Sequence, residues 1–199
     1  PNPLPRLFGQ QLANPHTLVP PQAGVFEVGL DWHKVLDTML TPVRTPTNLL
    51  TDRLKQLESL PARITIISFT GAGDRYDSTI QEIDSFRDQC RASGCQMGGG
   101  FYLTNEKTGR GGKAELVSRL RIRAFMDDRA DILAEIRRTG CFAMGYQARD
   151  YPTEPSGAIQ VLTDYIWSRL DHWDAHYPLQ AFVLQQYSGQ GGRGGRRRR

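Results

Sequence analysis

The stretch "VGLDWHKVLDT", residues 28–38, decides how the rest of the chain is read. A mostly apolar approach (Val25, Phe26, then Val28 to Leu30 around one glycine) runs straight into Asp31. Trp32, His33 and Lys34 follow, and the chain turns apolar again before Asp37. A short apolar run suits a strand, and two explanations exist for a carboxylate at its end. One is a surface turn, where aspartate is common. The other is a nucleophilic or metal-binding carboxylate at the carboxyl edge of a sheet, where open α/β folds gather their ligands. The neighbouring segments decide between the two.

Working outward, strands and helices alternate. "VFEVGLD" (25–31) reads as a strand, and "TPVRTPTN" (41–48) as a loop whose Thr47 or Asn48 caps the next helix. In "LLTDRLKQLESL", Leu50, Leu54, Leu57 and Leu60 recur at helical spacing until Pro61 stops them. "RITIISF" (63–69) is β-branched and almost continuously apolar, as a strand covered on both faces should be. "TGAGDRYDS" (70–78) reads as a loop, with Ser78 capping a helix that runs to about Ala92 and Gly94 ending it. "FYLT" (101–104) is a short strand and "NEKTGRGG" (105–112) a polar loop. A helix starts near Lys113, "RAFMD" (123–127) is a strand ending on carboxylates, and "ADILAEIRRTG" (130–140) is a helix closed by Gly140. "CFAMGY" (141–146) is a further strand. Such alternation predicts an α/β, Rossmann-like three-layer sandwich with a central, mostly parallel sheet.

Four segments are expected. Residues 1–24 hold six of the twelve prolines and read as an extended lead-in. Residues 25–150 form the α/β core. Residues 151–187 form a helical extension packing on it, with Ile159, Leu162, Ile166, Leu170 and Trp173 on one stripe, and with Trp167 and Trp173 expected in the core. Residues 188–199, "SGQGGRGGRRRR", are low in complexity and expected to be disordered.

Composition bounds the class. At 199 residues, 39% hydrophobic and 23% charged, the chain suits one domain with a substantial core. It has no apolar run long enough for a membrane span. The net charge of +4 is misleading, because five arginines (Arg193 and Arg196 to Arg199) lie in the tail, and removing them leaves the body near −1. Cys90, Cys95 and Cys141 show neither CxxC nor zinc spacing, so free thiols in a reducing compartment are expected. No leader is visible at Pro1, which points to an intracellular protein (cytoplasm or nucleus), and the missing initiator Met points to a piece of something longer or a processed chain.

The chemistry-bearing residues fall at element ends in a set order. Asp31 closes the first strand, Ser68 or Thr70 the second, Lys113 opens a helix after a glycine loop, and Asp127 and Asp128 close a later strand with Asp131 shortly after. Phosphoryl transfer through an aspartyl-phosphate needs this set. A carboxylate attacks phosphorus, and a divalent cation held by carboxylates offsets the repulsion between two anions. A hydroxyl holds a phosphate oxygen, and an ammonium stabilises phosphate and nucleophile. Mg²⁺ suits carboxylates and waters.

In order and spacing, "VGLDWHKVLD", "ITIISFTG", "GGKAELV" and "AFMDDRADI" resemble the four motifs of the haloacid dehalogenase (HAD) superfamily of phosphohydrolases, over roughly residues 25–146. That resemblance implies Asp31 as nucleophile and Mg²⁺ ligand, Ser68 as phosphate ligand with Thr70 second, and Lys113, preferred over Lys107, as the stabilising cation. Asp127 and Asp128 would complete the metal site. The superfamily's second motif-one aspartate, the acid/base, is replaced here by His33, whose imidazole suits proton transfer near neutral pH. The spacing leaves no room for an inserted cap domain, so an open site is expected, one that fits a phosphorylated macromolecule or a substrate screened by another domain.

Structural alternatives stand beside each reading. The alternative for Asp31 is a strand-end turn residue, for Asp127 and Asp128 a helix cap (compatible with metal binding), for Ser68 and Thr70 a turn residue, for Lys113 a solvated helix start and for His33 a structural histidine. The tail arginines Arg193, Arg196, Arg197, Arg198 and Arg199 attract RNA or DNA phosphates without sequence preference. The rival function is therefore a catalytically decayed HAD-like module that binds nucleic acid through this tail.

Overall fold

The computed structural model describes residues 10–11, 25–70, 74–106 and 112–169. Six strands form one sheet: β1 (Gln10–Gln11), β2 (Phe26–Leu30), β3 (Ala62–Phe69), β4 (Phe101–Thr104), β5 (Ala124–Asp127) and β6 (Phe142–Gly145), in the order β1-β4-β3-β2-β5-β6. β2 to β6 are mutually parallel, and β1 adds to the β4 edge antiparallel. The helices are α1 (Asn48–Ser59), α2 (Asp74–Ala92), α3 (Lys113–Arg119), α4 (Ala130–Arg138) and α5 (Gly157–Arg169). This is a Rossmann-like α/β sandwich.

The alternation of side chains along each strand builds two cores. On one face Phe26, Val28, Leu30, Ile64, Ile66 and Met126 pack under α1, α2 and α5. On the other, Ile67, Tyr102, Phe125 and Ala143 meet Leu116 and Val117 of α3 and Ile132, Leu133 and Ile136 of α4. Each fully buried Leu or Ile contributes about 1.5–3 kcal/mol by leaving water. Gly29 lies at the centre of β2, opposite Phe125, and a Cβ there would fall 2.3 Å from the Phe125 ring.

Element ends follow local rules. The Thr47 hydroxyl accepts from Leu50 N at 3.1 Å and caps α1. Gly94 and Gly140 take the left-handed conformation expected after α2 and α4 (φ 85° and 82°). α2 begins at Asp74, four residues before Ser78, so Ser78 lies inside the helix, where its hydroxyl donates to Arg75 O. α5 sends Ala158, Ile159, Leu162 and Ile166 into the core beside α1. Trp167, expected in that core, is 54% exposed: it sits one position past Ile166, on the helix flank turned from the sheet. Leu170 and Trp173 lie outside the described residues.

Two polar features interrupt the apolar strands. Glu27 and Arg63 are paired across β2 and β3 and form a buried ion pair on the second face. All three cysteines are buried and free. Among the described residues, no helix is long and apolar enough to cross a membrane.

Candidate active site

The topology fixes where chemistry can gather. From β2 the chain moves outward through β3 and β4, then returns to β5 on the opposite side of β2. The carboxyl ends of β2 and β5 therefore flank the point where the winding reverses, the place where open α/β sheets form a crevice. Leu30 is registered with Met126, so Asp31 and Asp127 emerge side by side at that rim. Asp31 N still donates to Met126 O at 3.0 Å, which holds the two strand ends together.

Carboxylate oxygens of Asp31, Asp127 and Asp128 lie within 4.8 Å of one another. Lys113, at the first turn of α3, is buried between the first two. Its Nζ lies 2.7 Å from Asp31 Oδ2 and 2.5 Å from Asp127 Oδ2. Asp31 Oδ1 accepts from Ser68 Oγ and from Trp32 N, both at 2.7 Å. Asp127 Oδ1 accepts from Arg129 N at 2.9 Å, and this bond sets the turn that aims Asp128 into the cluster. Lys34 Nζ, from the turn after β2, stands 3.9 Å from Asp128 Oδ2.

Three acidic groups share one buried lysine, and the electrostatics register the imbalance. Burial pushes Asp31 up from 3.8 to about 6, the Asp127 carboxylate adds to the rise, and Lys113 and Ser68 oppose it. Asp128 is raised by burial first and by Asp127 second. An oxygen-only donor set with surplus negative charge fits a hard divalent cation such as Mg²⁺, which takes few protein ligands and keeps waters. Asp131 takes no part: it is exposed and pairs with Arg129 at the start of α4.

The remaining residues take varied positions. Ser68 faces Asp31 directly, and its Oγ also lies 3.5 Å from His33 N. Thr70 is buried at the end of β3, with its N–H donating to Thr104 O. His33 leaves the strand direction through Lys34, whose left-handed backbone (φ 60°) costs about 1 kcal/mol. Its side chain, 42% exposed, reaches Asp37 on one side and Thr79 of α2 on the other. Sequence reasoning missed Thr79, because α2 is brought over the turn by packing, and gave Asp37 no role. A helical spacing of four from His33 was the available signal for Asp37. Beside Thr79, α2 faces Trp32, Leu40 and Arg44 across an open cavity of about 300 Å³ lined on the helix side by Ser78, Gln81 and Glu82. Lys107 and the arginines Arg193, Arg196, Arg197, Arg198 and Arg199 lie outside the described residues.

Among solved structures, the chain has a distant likeness to D,D-heptose 1,7-bisphosphate phosphatase from Burkholderia thailandensis. It is 12% identical, with a TM-score of 0.38 over 58% of this chain and 74% of that one. No family model matches the sequence, and no curated protein matches it.

Proposed function

We propose that this chain is a HAD-like, Mg²⁺-dependent phosphohydrolase that acts through an aspartyl-phosphate at Asp31. The observation that carries the reading is the convergence of Asp31, Asp127 and Asp128 around buried Lys113 at the switch point of a parallel sheet. Asp31, Asp127 and Asp128 would hold the cation, which when bound supplies charge neutralisation between carboxylate and phosphate. Lys113 holds the Asp31 carboxylate in place and offers positive charge to the incoming phosphoryl group. Ser68, already donating to Asp31, turns its hydroxyl to a phosphate oxygen, and Thr70 stands next along the strand. His33 is the acid/base, protonating the leaving group and later accepting a proton from water.

Only a loop with one short 3₁₀ turn (Leu36–Met39) separates β2 from α1, and this supports an open site and a phosphorylated macromolecule as substrate. The arginine-rich tail would add unspecific attraction to RNA or DNA. Wild-type protein is expected to release phosphate from an aryl phosphate with Mg²⁺ and not with EDTA, while Asp31→Asn loses turnover and keeps its fold by circular dichroism. Full activity in that variant overturns the nucleophile assignment. Absence of any Mg²⁺-dependent turnover in the wild type overturns the enzyme reading in favour of a binding module.

A further inference from the structure

We propose that Asp37 is the positioning residue for His33, fixing which ring nitrogen carries the resident proton so that Nε2 is the one that exchanges protons with the substrate. The inference rests on the phosphohydrolase reading for its catalytic consequence, but not for its geometry.

His33 and Asp37 lie four residues apart on the turn that follows β2. Asp37 N donates to Trp32 O at 3.0 Å and Leu36 N to Asp31 O at 3.4 Å, so the chain coils back and stacks the carboxylate against the imidazole. Asp37 Oδ2 lies 3.9 Å from His33 Nδ1, and the side chains are 19% and 42% exposed. That separation is too long for a hydrogen bond, yet it is the range from which catalytic contacts tighten when substrate arrives. The other oxygen, Asp37 Oδ1, is buried with no hydrogen-bond partner among the described residues. A buried carboxylate with an unsatisfied oxygen is costly, and donation from His33 Nδ1 to the carboxylate would offset part of that cost.

The opposite side of the ring gives the second constraint. Thr79 Oγ1 lies 3.4 Å from His33 Nε2. The Thr79 hydroxyl hydrogen is already committed to Arg75 O at 2.7 Å, so Thr79 offers the ring a lone pair only. Asp37 likewise only accepts. Between an anionic acceptor at Nδ1 and a neutral one at Nε2, the anion holds its proton more firmly. The Nδ1 proton is therefore resident and the Nε2 proton is the mobile one, the arrangement by which a carboxylate orients a histidine base elsewhere.

The steps then balance. An Asp31 carboxylate oxygen forms the O–P bond as the P–O bond to the leaving group breaks, and that leaving oxygen takes the proton from His33 Nε2. Water then attacks phosphorus, gives its proton back to Nε2, and the Asp31 O–P bond breaks to release inorganic phosphate. In this chain the acid/base pair spans two residues one turn apart, where the motif it resembles uses one aspartate.

The test uses the full chain with Mg²⁺ and two substrates that differ in leaving group, phenyl phosphate and 2,4-dinitrophenyl phosphate. Asp37→Asn is expected to lower kcat/KM for phenyl phosphate by about tenfold or more, and for the dinitrophenyl ester, which departs without a proton, by less than about threefold. Asp37→Glu should restore part of the loss. An equal loss on both substrates overturns the proposal and leaves the phosphohydrolase reading standing. The second readout needs no turnover: in mildly alkaline buffer, ¹⁵N-edited NMR of the His33 ring should show the Nδ1–H tautomer in wild type and a mixture in Asp37→Asn. The same tautomer mixture in both proteins overturns the proposal whether or not phosphate is released.

Discussion

Asp31 is a carboxylate placed where its charge is costly, a cost that the proposed cation would offset. Its pKa of about 6, raised by burial from 3.8, means the native state keeps a proton that the unfolded chain has released. Stability contributed by this proton is complete below about pH 4 and is lost as pH rises toward 6. Above that range, in EDTA, Asp31→Asn should be more stable than wild type by roughly 2–3 kcal/mol, because Lys113 keeps Asp127 as its partner. Urea unfolding across a pH series checks this, and a difference independent of pH counts against it. Bound at the proposed site, magnesium should shrink that difference: at a concentration about 100-fold above its Kd it stabilises wild type by roughly 2.7 kcal/mol, and Asp31→Asn by clearly less. The carboxylates of this site were readable in the sequence because each ends an apolar strand. The partners of His33 were not, since Thr79 reaches it only through the packing of α2 against the turn.

At the scale of elements, two substitutions probe how β2 and α1 are held. Thr47→Ala removes the α1 cap and should cost about 1 kcal/mol in thermal or urea unfolding, with Thr47→Ser largely neutral. Gly29→Ala drives a methyl group into the Phe125 ring and should cost about 1–3 kcal/mol. Phe125 precedes Asp127 by two residues on the same strand, so the variant should also weaken Mg²⁺ binding, measured by calorimetry. Unchanged stability in Gly29→Ala would mean that β5 yields freely. The strands were legible nearly to the residue, with "FYLT" matching β4 and "RITIISF" falling one residue short of β3, because β-branched runs bounded by Gly and Pro have few other uses. The start of α2 was misread, since Asp74, Arg75 and Asp77 beside two glycines carry the composition of a loop. The two-residue β1 was invisible, because its polar pair is held by β4 and not by any pattern of its own.

For the whole molecule, the alternation of strands and helices was enough to give a parallel sheet, but not the exposure of Trp167 or the burial of the Glu27–Arg63 pair, which depend on what lies across the sheet. The proposed attraction of the tail to nucleic acid predicts that deleting residues 189–199 weakens single-stranded RNA binding and flattens the slope of log affinity against log salt by about 3–4, from its five arginines. An unchanged slope would place any RNA contact on the folded body. The order of the sheet has a further consequence for how such a protein is made. β2 pairs with β3 on one side and with β5 on the other, so Asp31 leaves the ribosome almost a hundred residues ahead of Asp127. A nascent chain halted before β5 carries Asp31 on a strand with one edge open to sticky contacts, without the carboxylates that complete the cluster. The carboxylate cluster therefore assembles late, when the returning strand docks and closes the gap.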